Sequence, residues 1–362
     1  LMQKTLTRKA DSPPLPVISA SPEGLHGDPV SFDHGKPYRP LSQHYRERSN
    51  AKVYKVSVSV AQTCPNREGR NGMQVCLFCD EWGSAAYHLQ SKKPLEEQIR
   101  INREAIRQRY RAQQFLVYFQ AYTNTHVRAQ RLRQWFEIAL GQQGIVGLVL
   151  GTRPDCLPRR VIELLREYTK KTYLSVELGV QSLKDDQLKF LSRGHNVAVS
   201  VGAIRKLKQV KGINVCVHLI FGLPHETETQ LKETAEMLSV LQVDGVKLHN
   251  LHVLRSTPLE ESYRKGEFKP LSLETYARRV AVFLDHLSPH VAVHRLAAVA
   301  SRWEELVAPE WNREKMRPVQ FIEDLMLCHG HRQGRFSLSI RSQNRQTDSF
   351  PPTLHLPNGA CF

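Results

Sequence analysis

The sequence predicts an α/β fold, a partial (β/α)6 barrel that is open on one side. Two observations predict it. Six short runs rich in β-branched residues alternate with six longer segments of helical periodicity, and consecutive strand–helix units of this kind build parallel sheets. In addition, several strand candidates are polar on one face, whereas a strand buried in a doubly wound sheet is apolar on both faces. A curved sheet whose polar face lines a shared interior accounts for both observations.

The predicted elements follow the chain in alternation. The strand candidates are 53–60, 115–120, 145–151, 173–180, 213–221 and 246–253. The helical patterns cover 94–113, 127–141, 157–170, 183–210 with a break near Gly194, 226–242 and 272–287. Pro94 followed by Glu96 and Glu97 marks the start of the first helix, because proline and acidic residues favour a helix N-terminus. Six units are fewer than the eight of a closed barrel, so the predicted barrel is incomplete.

Residue type identifies the inner face of this barrel. The polar positions are Lys55, Ser57 and Ser59 on the first strand, Gln120 on the second, Glu177 and Gln181 on the fourth, Cys216 and His218 on the fifth, and Lys247 and His249 on the sixth. Side chains alternate between the two faces of a strand, so these residues are expected to share one interior. For any one of them, a position near a strand end that meets water is an equally good explanation.

Length and composition set the domain organisation. The 362 residues suffice for one large domain or two ordinary ones. Segments rich in Pro, Ser and Gly at both ends predict mobile tails over 1–40 and 335–362, around a barrel over 41–290 and an extension over 291–334 that packs on it. No run approaches the roughly 18 apolar residues of a membrane span, and no secretion signal is recognisable. A cytoplasmic protein without membrane contact is therefore expected.

Three of the seven cysteines lie within sixteen residues, just after the first predicted strand. They are Cys64, Cys76 and Cys79, and strand carboxyl ends are where sites form in parallel α/β folds. Clustered thiolates bind zinc or an iron–sulfur cluster. Zinc requires a fourth ligand, which His88 offers, whereas a 4Fe–4S cluster on three cysteines keeps one iron open to another ligand. The lack of a second Cys-x-x-Cys pair weakens the zinc interpretation.

The cysteine loop, together with a series of short strings, resembles the radical S-adenosylmethionine (SAM) superfamily. The loop ends in Cys76-Leu-Phe-Cys79, and eleven residues separate Cys64 from Cys76 where the superfamily usually has three. Long loops of this kind are similar to those of a YhcC-like bacterial family and of the related radical SAM domain of the Elongator catalytic subunit. The strings are CPNREG at 64–69, FQAYTNT at 119–125, GTRPDC at 151–156, ELGVQS at 177–182, RGH at 193–195, HLIFGLP at 218–224, VKLHNLHV at 246–253, HRL at 294–296 and AP-x-W at 308–311. One departure is His225, where the family usually carries a glycine.

The resemblance implies an enzyme in which Cys64, Cys76 and Cys79 hold a 4Fe–4S cluster. The cluster would cleave S-adenosylmethionine to a 5′-deoxyadenosyl radical that abstracts hydrogen from a substrate. The cofactor-binding residues that it implies are Phe78, Gln120, Thr123, Glu177, Gln181, Arg193 and Gly222. The candidates at the substrate end are His218, His249 and Lys247 as catalytic residues, with Cys216 and Arg153 beside them. A single histidine or thiol in such an interior is more often a packing residue than a catalytic one.

The chain has 51 Lys and Arg against 35 Asp and Glu, a formal charge of +16. Residues 92–134 include ten Lys and Arg but only three Glu, and most of the basic residues fall on the first two predicted helices. Such a concentration indicates either an ordinary solvated face or an RNA-binding surface. The Elongator resemblance implies a tRNA base as substrate, with a small metabolite or a protein as alternatives, and a flavodoxin or ferredoxin as reductant. Two alternatives involve no radical chemistry: the chain is a zinc-stabilised RNA-binding module, or its barrel serves only as a scaffold.

Overall fold

A computed structural model describes residues 32–49, 51–83, 92–300 and 303–337 of the chain. Its strands are β1 (Val53–Val58), β2 (Gln114–Phe119), β3 (Ile145–Thr152), β4 (Tyr173–Gln181), β5 (Ile213–Phe221), β6 (Gly245–Asn250), β7 (Val253–Leu254), β8 (Ala292–Arg295) and β9 (Leu306–Ala308). Seven of them form one sheet in the order β1-β2-β3-β4-β5-β6-β8, and every neighbouring pair in it is parallel. The β7 and β9 strands form a separate antiparallel pair.

The α-helices accompany the sheet: the first precedes β1, the last follows β9, and the others connect successive strands. They are α1 (Leu41–Ser49), α2 (Leu95–Tyr110), α3 (Ala129–Leu140), α4 (Arg159–Tyr168), α5 (Asp185–Phe190), α6 (Val197–Lys208), α7 (Glu228–Val240), α8 (Pro258–Arg264), α9 (Leu273–His286) and α10 (Arg317–Cys328). At the starts of α6, α7 and α9, backbone N–H groups donate to the side chains of Asn196, Thr227 and Ser272 respectively. Such caps satisfy donors that a helix leaves unpaired in its first turn, and they fix where the crossovers begin. None of the described helices combines the length and apolarity that a membrane crossing requires.

The main hydrophobic core lies between the sheet and the crossover helices. Val117 and Phe119 of β2 belong to it, and so do Phe136 of α3 and Leu165 of α4. All four side chains are fully buried, and burial of one such side chain stabilises the fold by about 1.5–3 kcal/mol. Since apolar residues of the strands face the helices, the polar residues that alternate with them face the concave side of the sheet.

The first helix packs against the amino ends of the strands on that concave side. Tyr45 lies in a small apolar cluster with Val53, Leu116 and Tyr173, and His44 Nε2 is 3.4 Å from Tyr173 Oη. Asn214 near the start of β5 donates to the same imidazole nitrogen at 3.3 Å. The α1 helix therefore covers the amino end of the sheet on its concave side.

The structure confirms the parallel α/β prediction. Five of the six predicted strands agree with the observed bounds within two residues, and the sixth ends at Asn250 before the separate β7. A seventh strand, β8, extends the sheet past residue 290, where the predicted barrel ends. Residues 1–31 and 338–362 lie outside the described residues, and so does His88, so the predicted tails remain predictions. Within 32–40, Tyr38 is buried and donates to Glu323 of α10 at 2.7 Å.

Candidate active site

The three clustered cysteines lie in the loop that follows β1. Cys64 and Cys76 are buried, and Cys79 is half-buried. The backbone N–H of Cys79 donates to the Cys76 carbonyl oxygen at 3.0 Å, which makes a tight turn of the Cys-x-x-Cys segment. Gly69 has a φ of 64° and Gly72 a φ of 74°, a region that favours glycine, so the long segment between Cys64 and Cys76 can fold back on itself.

Basic and amide groups surround the Cys76 and Cys79 thiols. Arg193 Nη1 lies 3.4 Å from Cys76 Sγ, Asn66 Nδ2 lies 3.5 Å from it, and Arg153 Nη1 lies 3.9 Å from it. Arg67 Nη2 lies 3.5 Å from Cys79 Sγ. Burial raises the pKa of Cys79 to about 12, and the Arg67 guanidinium opposes that rise. Positive groups of this kind stabilise thiolates, the form in which cysteine binds metals.

The donor set fits an iron–sulfur cluster. Three thiolates select iron–sulfur clusters or zinc, and only zinc as a single ion needs all its ligand atoms to converge closely. Among the described residues, the one group of His, Cys or carboxylate ligand atoms that converges within 4.8 Å is Glu177, Cys216 and His218. The Glu177 carboxylate already contacts two lysines, so it is not free to bind a metal cation. The spacing of the cysteine loop therefore suits a larger centre than one zinc ion.

A cavity of about 210 Å³ connects this loop to the concave side of the sheet. Its lining includes all three predicted metal ligands, all three predicted catalytic residues and six of the seven predicted cofactor-binding residues. The lining residues of these three groups are Cys64, Cys76, Cys79, His218, Lys247, His249, Phe78, Gln120, Thr123, Glu177, Gln181 and Arg193. Gly222 is not among the lining residues; it directly follows β5 with a φ of 92°, and its N–H donates to Glu226 Oε2 at 2.8 Å.

Two residues predicted for the substrate end do not line it. Arg153 lies at the cysteine end, where Asp155 accepts from its guanidinium and its Nη2 donates to the Arg193 carbonyl oxygen at 2.7 Å. Cys216 is completely buried, and it is absent from the residues that line the cavity. The structure therefore separates a cysteine end, with Arg153 and Arg193, from a second part of the site. We call this part the deep end, and it consists of Lys55, Tyr118, Glu177, His218, Lys247 and Arg295.

Glu177 lies at the centre of the deep end, and its side chain is inaccessible to solvent. Lys247 Nζ lies 3.0 Å from its Oε2, His218 Nε2 lies 2.7 Å from the same oxygen, and Lys55 contacts its Oε1. His294 Nδ1 lies 3.5 Å from Oε1. Burial alone would raise the pKa of Glu177, but the two ammonium groups and the imidazole hydrogen bonds hold that pKa well below its ordinary range. The carboxylate is therefore charged and fully partnered.

Lys247 is the basic group beside Glu177 whose pKa lies near physiological pH. Burial lowers the pKa of Lys247 to about 8, although the Glu177 carboxylate opposes the shift. Burial and the neighbouring Lys247 charge lower the pKa of His218 to about 3, so its imidazole is neutral. An amine with a pKa near 8 beside a neutral imidazole is suited to proton transfer with a bound molecule. The site can thus combine a metal centre at one end with acid–base groups at the other.

The sequence alone did not assign roles to three residues that the structure places at the deep end. Tyr118 Oη accepts from Lys247 Nζ at 3.3 Å, His294 contacts Glu177, and Arg295 lines the cavity from β8. His294 and Arg295 stand in the HRL string at 294–296, which was a usable signal. Their placement depends on β8 joining the sheet next to β6, which strand patterns did not indicate.

Comparison with known proteins gives consistent matches. Residues 58–238 match the model of the radical SAM superfamily, and residues 243–327 match that of the radical SAM C-terminal domain. The chain is 35% identical over 309 residues to YtqA of Bacillus subtilis, a match that covers 85% of this chain and 95% of that protein. It is also 35% identical over 284 residues to YhcC of Escherichia coli, covering 78% of this chain and 90% of that protein.

More distant similarities concern part of larger proteins. The chain is 35% identical over 129 residues to the tRNA uridine(34) acetyltransferase of Methanocaldococcus infernus, which covers 34% of this chain and 23% of that enzyme. The solved structure of the archaeal Elp3 of Methanocaldococcus infernus, with an N-terminal deletion, superposes with a TM-score of 0.60 at 20% identity. That superposition covers 78% of this chain and 64% of the other, so this chain spans less than two thirds of it. The likeness shows a shared fold.

Proposed function

The chain belongs to the radical SAM superfamily, and on that premise we propose that Cys64, Cys76 and Cys79 hold a 4Fe–4S cluster at which S-adenosylmethionine is cleaved. Membership makes it a radical SAM enzyme, and the family implies both cofactors. When bound, they supply radical chemistry, the abstraction of a hydrogen atom from the substrate. The observation that carries the proposal is the position of the three thiols at one end of a cavity that continues to a set of acid–base groups.

The protein's own residues bind and orient in this scheme. Arg193 and Asn66 hold the Cys76 thiol in place from two sides. Gln120, Thr123 and Gln181 offer polar groups between the cysteine end and the deep end, where S-adenosylmethionine would lie, and Phe78 offers an apolar ring. Lys247 holds or moves a proton at the deep end, where His218 donates a hydrogen bond to Glu177. A flavodoxin or ferredoxin is the kind of reductant that would deliver the electron.

Anaerobic reconstitution with iron and sulfide, followed by incubation with S-adenosylmethionine and dithionite, tests the cluster assignment. The wild-type chain is expected to bind about four irons and to release 5′-deoxyadenosine. The Cys76→Ala variant is expected to lose most of the iron and all of the cleavage. Cys328→Ala is the matched control, because Cys328 is an exposed cysteine at the end of α10. If Cys76→Ala cleaved as well as Cys328→Ala, the cluster assignment would be wrong.

We propose a tRNA base as the substrate class. The curated relative from Methanocaldococcus infernus is named as a tRNA uridine(34) acetyltransferase, and it shares 129 residues with this chain. Basic residues supply the second argument. Several of those between 92 and 134 are exposed and form no ion pair with a described residue, whereas others pair with Glu97, Glu104 or Glu167. The exposed, unpaired members are Lys92, Arg100, Arg109, Arg111, Arg128 and Arg131.

Charge reversal tests the RNA surface. Changing Arg100, Arg109 and Arg111 to Glu is expected to weaken binding of bulk tRNA at least ~10-fold and to reduce its salt dependence, because each phosphate contact contributes roughly one unit to the salt slope. The matched control changes three exposed basic residues on and after α6, namely Arg205, Lys206 and Lys211, to Glu. Equal tRNA affinities of the two triple variants at low salt would show that this surface does not bind tRNA. A wild-type chain that does not bind tRNA would favour a small metabolite or a protein as substrate.

A further inference from the structure

Arg295 ends β8 and lines the cavity from the last strand of the sheet. Its Nε donates to the Leu248 carbonyl oxygen at 3.3 Å, whereas its Nη2 is buried and has no hydrogen-bond partner in the described part of the chain. Burial lowers the pKa of Arg295, but a guanidinium stays protonated in proteins. A buried charged donor without an acceptor costs about 1–3 kcal/mol or more. Such a donor beside a cavity indicates that a bound molecule supplies the acceptor.

The deep end carries a surplus of positive charge. Within it, two lysines and one arginine accompany a single carboxylate. Both lysines contact Glu177, and Arg295 forms no ion pair with any described residue. The nearby imidazoles of His249 and His252 add no charge at neutral pH, because burial lowers the pKa of each. The deep end therefore carries about two positive charges that no described carboxylate neutralises.

We propose that the deep end binds a carboxylate group, carried by a co-substrate because a tRNA base itself has none, with Arg295 as the principal donor and Lys247 beside it. The register of the sheet places Lys247 of β6 directly opposite Arg295 of β8. A guanidinium presents two parallel N–H groups, which match the two oxygens of a carboxylate. The inference rests on the proposed function, since it describes a molecule bound beyond the S-adenosylmethionine site.

The carboxylate of S-adenosylmethionine has other groups available at the cysteine end. Arg153 and Arg193 lie there beside Cys76. Arg193 reaches the Gly179 carbonyl oxygen, and Glu177 stands two residues earlier on β4, about 6.6 Å deeper along the strand. The two ends are thus separate positions. A phosphate is the weaker candidate, because protein phosphate sites are typically built at helix N-termini and glycine-rich loops, whereas strand side chains form the deep end.

A fluorine-19 NMR titration of the full chain tests the carboxylate site, with trifluoroacetate as the anionic probe and trifluoroethanol as its neutral counterpart. We expect saturable line broadening of trifluoroacetate only. Arg295→Gln should weaken that binding about 10-fold or more, equivalent to about 1.4 kcal/mol. Arg295→Lys, which keeps the charge but loses the planar fork, should bind with intermediate affinity. Arg205→Gln is the control, an exposed arginine on α6, and thermal unfolding checks that each variant is folded.

Several results would overturn the proposal. Equal binding of the two probes to the wild type would do so even if Arg295→Gln failed to fold, and unchanged affinity in a folded Arg295→Gln would place the anion elsewhere. Displacement of trifluoroacetate by S-adenosylhomocysteine in the cluster-loaded protein would assign the site to the cofactor's carboxylate. Stronger competition by inorganic phosphate than by acetate would reject a carboxylate. Probe binding needs no cleavage chemistry, so a chain that binds the probe without cleaving S-adenosylmethionine refutes the proposed function alone.

Discussion

Glu177 shows how one residue organises the deep end of the cavity. Its carboxylate accepts from Lys247, Lys55 and His218, and it is buried from solvent. Removing the charge of one member of a buried ion pair leaves the other charge uncompensated, which typically costs 3–5 kcal/mol. Here two ammonium groups depend on the same carboxylate. The network therefore contributes to the stability of the barrel as well as to the chemistry of the site.

The Glu177→Gln variant is expected to lower the free energy of unfolding by about 3 kcal/mol at pH 7, since Lys55 and Lys247 would lose their shared counter-charge. Urea denaturation followed by circular dichroism measures it. Glu167→Gln is the matched control, because Glu167 also contacts two basic groups, Arg133 and Lys171, but on the exterior. Pairs of that kind contribute about 0–1 kcal/mol, so a loss of similar size in both variants would contradict the prediction.

Side-chain alternation predicts the inward direction of Glu177, His218 and Lys247, because it depends only on neighbouring positions in the chain. Alternation also predicts that Lys55 faces inward, but which residues contact Glu177 could not be predicted in the same way. Lys55 and Arg295 come from the two edge strands of the sheet, and only the tertiary fold brings them to the deep end. His225 is a different case. It has a φ of 58°, in the region that favours glycine, so the chain keeps at this position the backbone conformation that the family's usual glycine would adopt readily.

At the scale of single elements, the carboxyl end of β4 connects the sheet to the cysteine loop. The Gly179 carbonyl oxygen accepts from Arg193 Nη2 at 2.8 Å, and the same guanidinium reaches Cys76 Sγ through Nη1. A Cβ atom at Gly179 would lie 2.8 Å from Arg193 Nη2 and 2.9 Å from Gln181 Nε2. Both contacts are closer than real Cβ atoms allow, so glycine is needed here to let the guanidinium lie against the strand.

The Gly179→Ala variant is expected to displace Arg193 from Cys76 and to speed the loss of the proposed cluster several-fold. The measurement is the decay of visible absorbance after a ferrous chelator is added to the reconstituted protein. Gly202→Ala is the matched control, because a Cβ at Gly202 of α6 meets nothing within 4 Å. Alanine there should leave the decay unchanged and stabilise the fold by about 0.5–1 kcal/mol. Equal decay rates in both variants would show that Arg193 does not support the cluster.

Elements with a strong local pattern were predictable, and those defined by packing were not. The α7 helix begins with a capping box of Thr227 and Gln230, and its start was predicted within two residues. The α1 helix carries a weak apolar pattern, with His44 and Tyr45 as its buried residues, so only its contacts with the strand ends define its role. The β8 strand has four residues, too few for a periodic signal, yet it supplies His294 and Arg295 to the site.

For the whole molecule, the positive charges behind the +16 total are concentrated at two separate places in the structure. One is the exposed basic surface of α2 and α3, where a polyanion could approach from solvent. The other is the small surplus inside the cavity, where burial makes each unpaired charge costly. The first affects affinity through salt-dependent contacts, and the second selects what enters the site. The net charge in the sequence could not distinguish these contributions, because it contains no information on burial.

The buried histidines of the half-barrel make the stability of the whole fold depend on pH. The pKa of His218 lies at about 3, and those of His252 and His294 lie at about 4, because burial disfavours the imidazolium. In the unfolded chain the same groups titrate near 6.5. Between pH 6.5 and 4 the unfolded state therefore binds more protons than the folded state, so stability falls as pH falls. The depressed pKa of Glu177 acts in the same direction at still lower pH.

We expect the free energy of unfolding of the cluster-free protein to decrease by about 2–5 kcal/mol from pH 7 to pH 5, since each such group contributes up to about 1.4 kcal/mol per pH unit within its window. Urea titrations at constant ionic strength measure it, and metal-free protein keeps thiolate protonation at a bound cluster out of the result. The His252→Asn variant removes one of these groups and should show a smaller decrease. A free energy that stayed level or rose toward pH 5 would show that the imidazoles are solvated or charged in the folded state.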